Sequence, residues 1–294
     1  MNNSSLYDSF LGIWGKKRPP RLSDIAVWDR LAYDWEQSMA HSQRFRENMA
    51  ERIQDTAGFL RGHGLLTQGC EVLDIGCGPG FFAAEFGKTA GRVMGVDISP
   101  QMIRNAKETT AACPHISYLV GDFPDMDDAQ LGGPYDLTFA CITPAVSNMD
   151  CVEKMIRLSR KYCFYSCFVF WYDDLEKRLS EEVFGCAYTP SHGGHGRNFY
   201  ALFNLLWLRG YYPELSYYRQ EHTDALSPSI EEAERYARIF RAENKADESA
   251  AEKIFAYMEG HKRDGVIIRH SNYWYGRMFW DVREQTERPE LLPR

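Results

Sequence analysis

Basic residues are in deficit: 34 Lys and Arg stand against 41 Asp and Glu, leaving a net charge of −7. A surface that neutralises nucleic-acid phosphates needs the opposite balance, so no nucleic-acid partner is expected. The one basic cluster, residues 15–21, has the composition of a solvated arm. Long apolar runs are also missing. None approaches the ~20 residues that cross a bilayer, so no membrane partner is expected. The first ten residues lack the basic start and apolar stretch of a secretory signal, and the expected location is cytoplasmic. None of the eight cysteines sits in a C-x-x-C pair, which removes zinc-ribbon and thioredoxin-like readings. They are expected to be reduced and mostly to act as small hydrophobes. Internal repeats and low-complexity tracts are absent. Apolar residues are not scarce: they make up 44% of 294 residues, enough for a sizeable core in one elaborated domain or two.

The N-terminal residues 1–21 are rich in Asn, Ser, Lys and Pro and look loose. From Asp24 the pattern turns helical. Phe45, Met49, Ile53 and Leu60 share a face, and Gly62 and Gly64 stop it. Short apolar runs then alternate with helical stretches: EVLDIGCG, GRVMGVDIS, ISYLVGD, YDLTFACI and YCFYSCFVFW. That alternation signals βαβ units and a parallel sheet. Ser99 and Pro100 punctuate the start of one helix, whose buried stripe is Met102, Ile103 and Ala106. Late strands are expected near 211–222 and 265–283. Two helices lie between them, each opened by a capping-box spacing, Ser229 with Glu232 and Ser249 with Glu252.

Chemistry concentrates in Val72–Gly80, VLDIGCGPG. Glycines 76, 78 and 80 permit a sharp turn and close ligand approach. The spacing is G-x-G-x-G, and Phe81 breaks the G-x-G-x-x-G register that cradles a pyrophosphate. Asp74, two residues ahead, repels phosphate and attracts an amine. Asp97 ends the second strand, where an acid can accept bonds from ribose hydroxyls. Asp122 ends the third, where a carboxylate can accept from an exocyclic amine, with Phe123 beside an adenine slot. Together they describe a ligand with an amine, a ribose and an adenine, without phosphate.

In these motifs the chain resembles the class I S-adenosylmethionine-dependent methyltransferases over about residues 70–170. The resemblance implies a Rossmann-like α/β fold: a mostly parallel seven-stranded sheet flanked by helices. It also implies an N-terminal helical cap and a helical insertion near the C-terminus. The expected division is an arm and cap at 1–64 and a catalytic domain at 65–294, with the insertion at about 224–262 and no second core. Asp74, Gly76 and Gly78 would hold the methionine part of S-adenosylmethionine, or of its product S-adenosylhomocysteine. Asp97 would hold the ribose, and Asp122 and Phe123 the adenine, with Ile98 on its face. Cys77 and Gly80 complete the same turn and Met102 the helix beyond; all three count among the expected cofactor contacts. Tyr33, in AYDWEQ, matches an aromatic that often precedes the first motif. Cys141 and Thr143 would sit near the transferred methyl.

The acceptor side is less defined. The Asn/Asp-Pro-Pro-aromatic motif of amine- and amide-methylating branches is replaced by CITPAVSN. No catalytic residue stands out; His192 and His195 in SHGGHGRN, and His270, are the candidate bases. His192, His195 and Cys186 match no zinc spacing, and no metal is expected. Aromatic residues crowd 162–222 and 273–280, which suits an apolar or planar small-molecule acceptor. The expected function is in-line methyl transfer to such an acceptor, by a monomer or homodimer. The alternatives are a non-catalytic S-adenosylmethionine-binding regulatory module and, disfavoured by the glycine spacing, a nicotinamide-dependent oxidoreductase.

Overall fold

A computed structural model of the chain describes residues 3–14, 24–41, 43–189, 195–242 and 245–286. Its helices are α1 Asn3–Trp14, α2 Ile25–His41, α3 Gln43–Gly62, α4 Phe81–Phe86, α5 Pro100–Thr109, α6 Asp128–Leu131, α7 Met149–Arg157, α8 Asp174–Arg178, α9 His195–Leu208, α10 Ile230–Ala242 and α11 Ala250–His261. Its strands are β1 Glu71–Ile75, β2 Arg92–Asp97, β3 Ile116–Val120, β4 Tyr135–Cys141, β5 Ser159–Asp173, β6 Glu214–Leu226 and β7 Ile267–Asp281. They form one seven-stranded sheet in the order β3-β2-β1-β4-β5-β7-β6. The neighbours from β3 to β5 pair in parallel, and an antiparallel hairpin closes the far end. This is the doubly wound architecture that the alternating runs predict.

The chain divides into two compact units. The first comprises residues 1–167, 200–215 and 277–294; the second comprises 168–199 and 216–276. In the first, β1 and β4 are central strands covered on both faces, so each is a near-continuous apolar run. Val72, Phe86, Val93, Leu137, Phe139 and Phe164 build the core there. Phe139 and Phe164 stack with ring centroids 5.0 Å apart, and Phe86 meets Phe139 edge-on at 4.8 Å. Residues 3–14 correct the expectation of a loose arm. Tyr7, Phe10, Leu11 and Trp14 recur at helical spacing, and that stripe is concealed by the polar composition around it. Tyr7 and Trp14 are buried; the Tyr7 hydroxyl accepts from Arg209 at 2.8 Å, and Trp14 meets Tyr165 edge-on.

The second unit has an apolar core of its own, which corrects the expectation of no second core. Leu175 and Leu179 pack with Tyr236, Ala237 and Phe240 of α10 and with Ile254 and Met258 of α11. The two capping boxes fare differently. Ser229 Oγ accepts from Glu232 N at 3.0 Å, as expected. Ser249 makes no cap bond. Its N–H and hydroxyl both donate to Asp247 Oδ1, at 3.0 and 2.6 Å, because the neighbouring carboxylate is the stronger acceptor. Among the described residues no helix is long and apolar enough to cross a membrane.

Candidate functional site

The order of strands reverses between β1 and β4, and open α/β sheets bind ligands at the carboxyl end of such a switch point. Register sets the levels there. Asp74 lies beside Gly95 and Phe139, and Asp97 beside Val120. The loops after β1, β2, β3 and β4 therefore leave from one edge, bringing together residues 74–80, 97–99, 121–123 and 141–143.

The turn after β1 depends on its glycines. Gly76, Gly78 and Gly80 all have positive φ, at 66°, 52° and 78°. A Cβ on Gly76 would also collide with the Thr143 side chain, so the first and fourth loops interlock. Space above Gly78 stays open, the nearest atom being Met102 Sδ at 4.0 Å from where a Cβ would lie. A ligand can reach the backbone here without meeting a side chain.

The edge is acidic. Asp74 is buried, only 2% exposed, and its Oδ2 has no hydrogen-bond partner. Burial, with the Asp97 charge as a second cause, pushes its carboxyl up to about 8. Asp97 accepts from Gly78 N through Oδ2 and from Ser99 N through Oδ1, both at 2.9 Å. Burial raises its pKa more than those bonds lower it, and Asp29 adds like-charge repulsion. Asp122 lies two residues beyond β3, at the start of a short 3-10 helix, Phe123–Asp125. Phe123 is buried beneath Lys154, whose Nζ lies 4.9 Å from the ring centroid and donates to the Phe123 carbonyl at 2.6 Å. Ile98 is half-buried beside Asp97, and Met102 is buried on α5.

Two thiols face these acids. Burial raises Cys77 well above an ordinary thiol, and the Asp74 and Asp97 charges push the same way. Burial lifts Cys141 to about 11. Both are protonated at neutral pH, so neither supplies a thiolate nucleophile or base. Thr143 Oγ1 accepts from Ala145 N at 3.2 Å. Tyr33 is exposed on α2. His192 and the side chain of His195 lie outside the described residues. His270 is exposed on β7 in the second unit and shares a 3.0 Å bond with Thr223. Among the described residues no three His, Cys, Asp or Glu side chains gather as a metal site would.

Sequence reasoning missed three residues at this edge. Asp29 on α2 accepts from the Ser99 hydroxyl, and from Gln101 N at 3.3 Å. Arg52 on α3 is close enough to Cys141 to lower its pKa against the effect of burial. Ile142 holds φ +52°, a conformation that costs a β-branched residue energy. An acid and a base inside ordinary helices carry no motif, and an isoleucine gives no sign of its own strain.

A family profile described as a methyltransferase domain matches residues 72–163, the stretch from β1 into β5. Over that stretch, about a third of its length, the chain is similar to methyltransferase domains. A sterol 24-C-methyltransferase from Eremothecium gossypii is 32% identical over 127 residues, covering 40% of this chain and 34% of the relative. A magnesium-protoporphyrin O-methyltransferase from Rhodobacter capsulatus is 41% identical over 59 residues, covering 19% of this chain and 26% of the relative. The match thus spans about a third of the first curated relative and about a quarter of the second. Among solved structures, magnesium protoporphyrin IX methyltransferase from Synechocystis aligns over 92% of each chain, at 16% identity and a TM-score of 0.39.

Proposed function

We propose that the chain transfers a methyl group from S-adenosylmethionine to a small, apolar acceptor. One observation carries this reading: a buried carboxylate with an unpartnered oxygen, Asp74 Oδ2, beside an open glycine turn. Burying such a group without a partner is costly, and a ligand's ammonium offsets that cost. A pyrophosphate brings no cation to stabilise the ionised acid, which weighs against a nicotinamide cofactor.

The cofactor, when bound, supplies a methyl activated by positive charge on sulfur. Asp74 holds the ammonium, while Gly76, Cys77, Gly78 and Gly80 admit the chain's backbone to the methionine part. Asp97 accepts from the ribose hydroxyls. Asp122 accepts from the adenine amine, with Ile98, Met102 and Phe123 giving the adenine its apolar setting, and Tyr33 covers the edge. Cys141 and Thr143 line the methyl end. With both thiols protonated, the chain's contribution there is alignment and exclusion of water.

An apolar acceptor is supported by the aromatic crowding of residues 162–222 and 273–280, and by relatives named for sterol and porphyrin substrates. The acidic net charge favours such an acceptor over nucleic acid. Eight unpaired cysteines suit a cytoplasmic location. Calorimetry with S-adenosylmethionine and S-adenosylhomocysteine tests the reading. Binding of both is expected, and Asp97→Ala should weaken it at least tenfold. Binding of neither by the folded chain overturns it.

A further inference from the structure

A hydrogen-bonded chain runs from the N-terminal helix α2 into the glycine turn. Asp29 Oδ1 accepts from the Ser99 hydroxyl and from Gln101 N. The same Ser99 oxygen accepts from Met102 N at 3.1 Å, capping α5. Ser99 N donates to Asp97 Oδ1, and Gly78 N donates to the other oxygen of Asp97, each at 2.9 Å. Ser99 is fully buried, so water does not compete for these bonds. The path Asp29, Ser99, Asp97, Gly78 thus joins α2 to both acid and turn.

Placing Asp29 here carries an electrostatic cost. It repels Asp97, and burial has already raised the pKa of that neighbour. Asp29 lies at the N-terminus of α5, where a negative charge is favourable. A hydroxyl and a backbone N–H both donate to it, so the arrangement fixes its carboxylate in one orientation. Tyr33 stands one helical turn further along α2, on the same side. Whatever seats Asp29 therefore seats Tyr33 relative to the carboxyl edge of the sheet.

We propose that Asp29 is a positioning residue that latches α2 to the cofactor edge, through Ser99 and Asp97, so that cofactor binding and docking of α2 are coupled. The inference rests on the reading that this edge takes S-adenosylmethionine. Ligation of Asp97 by ribose hydroxyls orders the carboxylate, and through Ser99 it orders the partner of Asp29. By reciprocity, a seated α2 raises cofactor affinity.

Hydrogen exchange read by mass spectrometry, with and without S-adenosylmethionine, tests this on the full chain. In the wild type, added cofactor should slow exchange in residues 25–41 as well as in 76–80. Asp29→Ala should lose the slowing in 25–41, keep it in 76–80, and bind S-adenosylmethionine at least tenfold more weakly by calorimetry. Asp29→Asn retains an acceptor oxygen and should stay within about threefold of wild type. Three results each overturn the latch alone: a wild type that binds with no change in 25–41, an alanine variant that matches wild type, or an asparagine variant as weak as alanine. The wild-type exchange needs no variant and decides the matter even if Asp29→Ala folds poorly. A wild type that binds no cofactor overturns the functional reading and the latch with it.

Discussion

One buried acid site in each unit makes a pair worth comparing: their carboxylates are treated in opposite ways. In the second unit Asp173 and Asp224 are buried and shared by one arginine. Arg269 Nε donates to Asp173 Oδ2 at 2.8 Å, its Nη1 to Asp224 Oδ2 at 3.1 Å, and its Nη2 to the Tyr273 hydroxyl at 2.6 Å. The Tyr236 hydroxyl also donates to Asp173, whose other oxygen caps α8 through Leu175 N and Glu176 N. In the first unit Asp74 is equally buried, yet Oδ2 is left without a partner. A buried acid with its charge answered from within the fold is holding structure. One left unanswered beside an open turn is waiting for a ligand. Burial is the same in both; the completeness of the partner set separates them.

That contrast breaks at measurable points. The largest effect belongs to the answered acids. Arg269→Met removes the cation shared by two buried carboxylates and should cost about 3–5 kcal/mol of stability in urea unfolding. Next comes the unanswered acid. Asp74→Asn should leave unfolding stability intact or raised, while S-adenosylmethionine affinity falls about 100-fold, or about 2.7 kcal/mol, by calorimetry. A large loss of stability from Asp74→Asn would erase the distinction.

A pH series sharpens it further. Burial, then the charge on Asp97, raises the Asp74 carboxyl to about 8, against about 4 in the unfolded chain. The native state therefore holds the proton longer, and this group's contribution to stability is lost as pH rises from about 4 to about 8. The ammonium needs the ionised acid, so cofactor affinity should rise about tenfold per pH unit over the upper part of that range. Asp74→Asn should flatten both slopes, as read by calorimetry and by melting without cofactor. Smallest are the caps in the second unit. Ser229→Ala should cost about 1 kcal/mol, and Ser249→Ala should cost under about 0.5, because Asp247 has taken the serine's bonds.

Period and punctuation made most of the sheet readable. The strands ending at Ile75 and Asp97 fall where short apolar runs meet glycine or acid, the strand ending at Cys141 closes an apolar run just before Thr143 and Pro144, and Ser99 caps α5 as its spacing predicts. Acids at three strand ends were legible because topology places strand ends together. Features that depend on long-range partners were hidden. Nothing near Asp29 announces Ser99, which lies 70 residues away. Helix α1 hid behind polar composition, although Tyr7, Phe10, Leu11 and Trp14 carry its period. The second core hid for a related reason: its residues come from α8, α10, α11 and β7, segments too far apart for any local pattern to join.

Ile142 carries a different lesson, about how such a chain can change over generations. Its φ of +52° suits asparagine or glycine far better than a β-branched side chain. Its neighbour Thr143 fills the space a larger residue at position 76 would require. Selection for robustness alone would replace the isoleucine with glycine or asparagine, the residues that relieve the strain. Selection for turnover would resist it, because the loop that carries Cys141 and Thr143 would loosen. Positions 76 and 143 therefore constrain one another, since any side chain at 76 must displace that of Thr143.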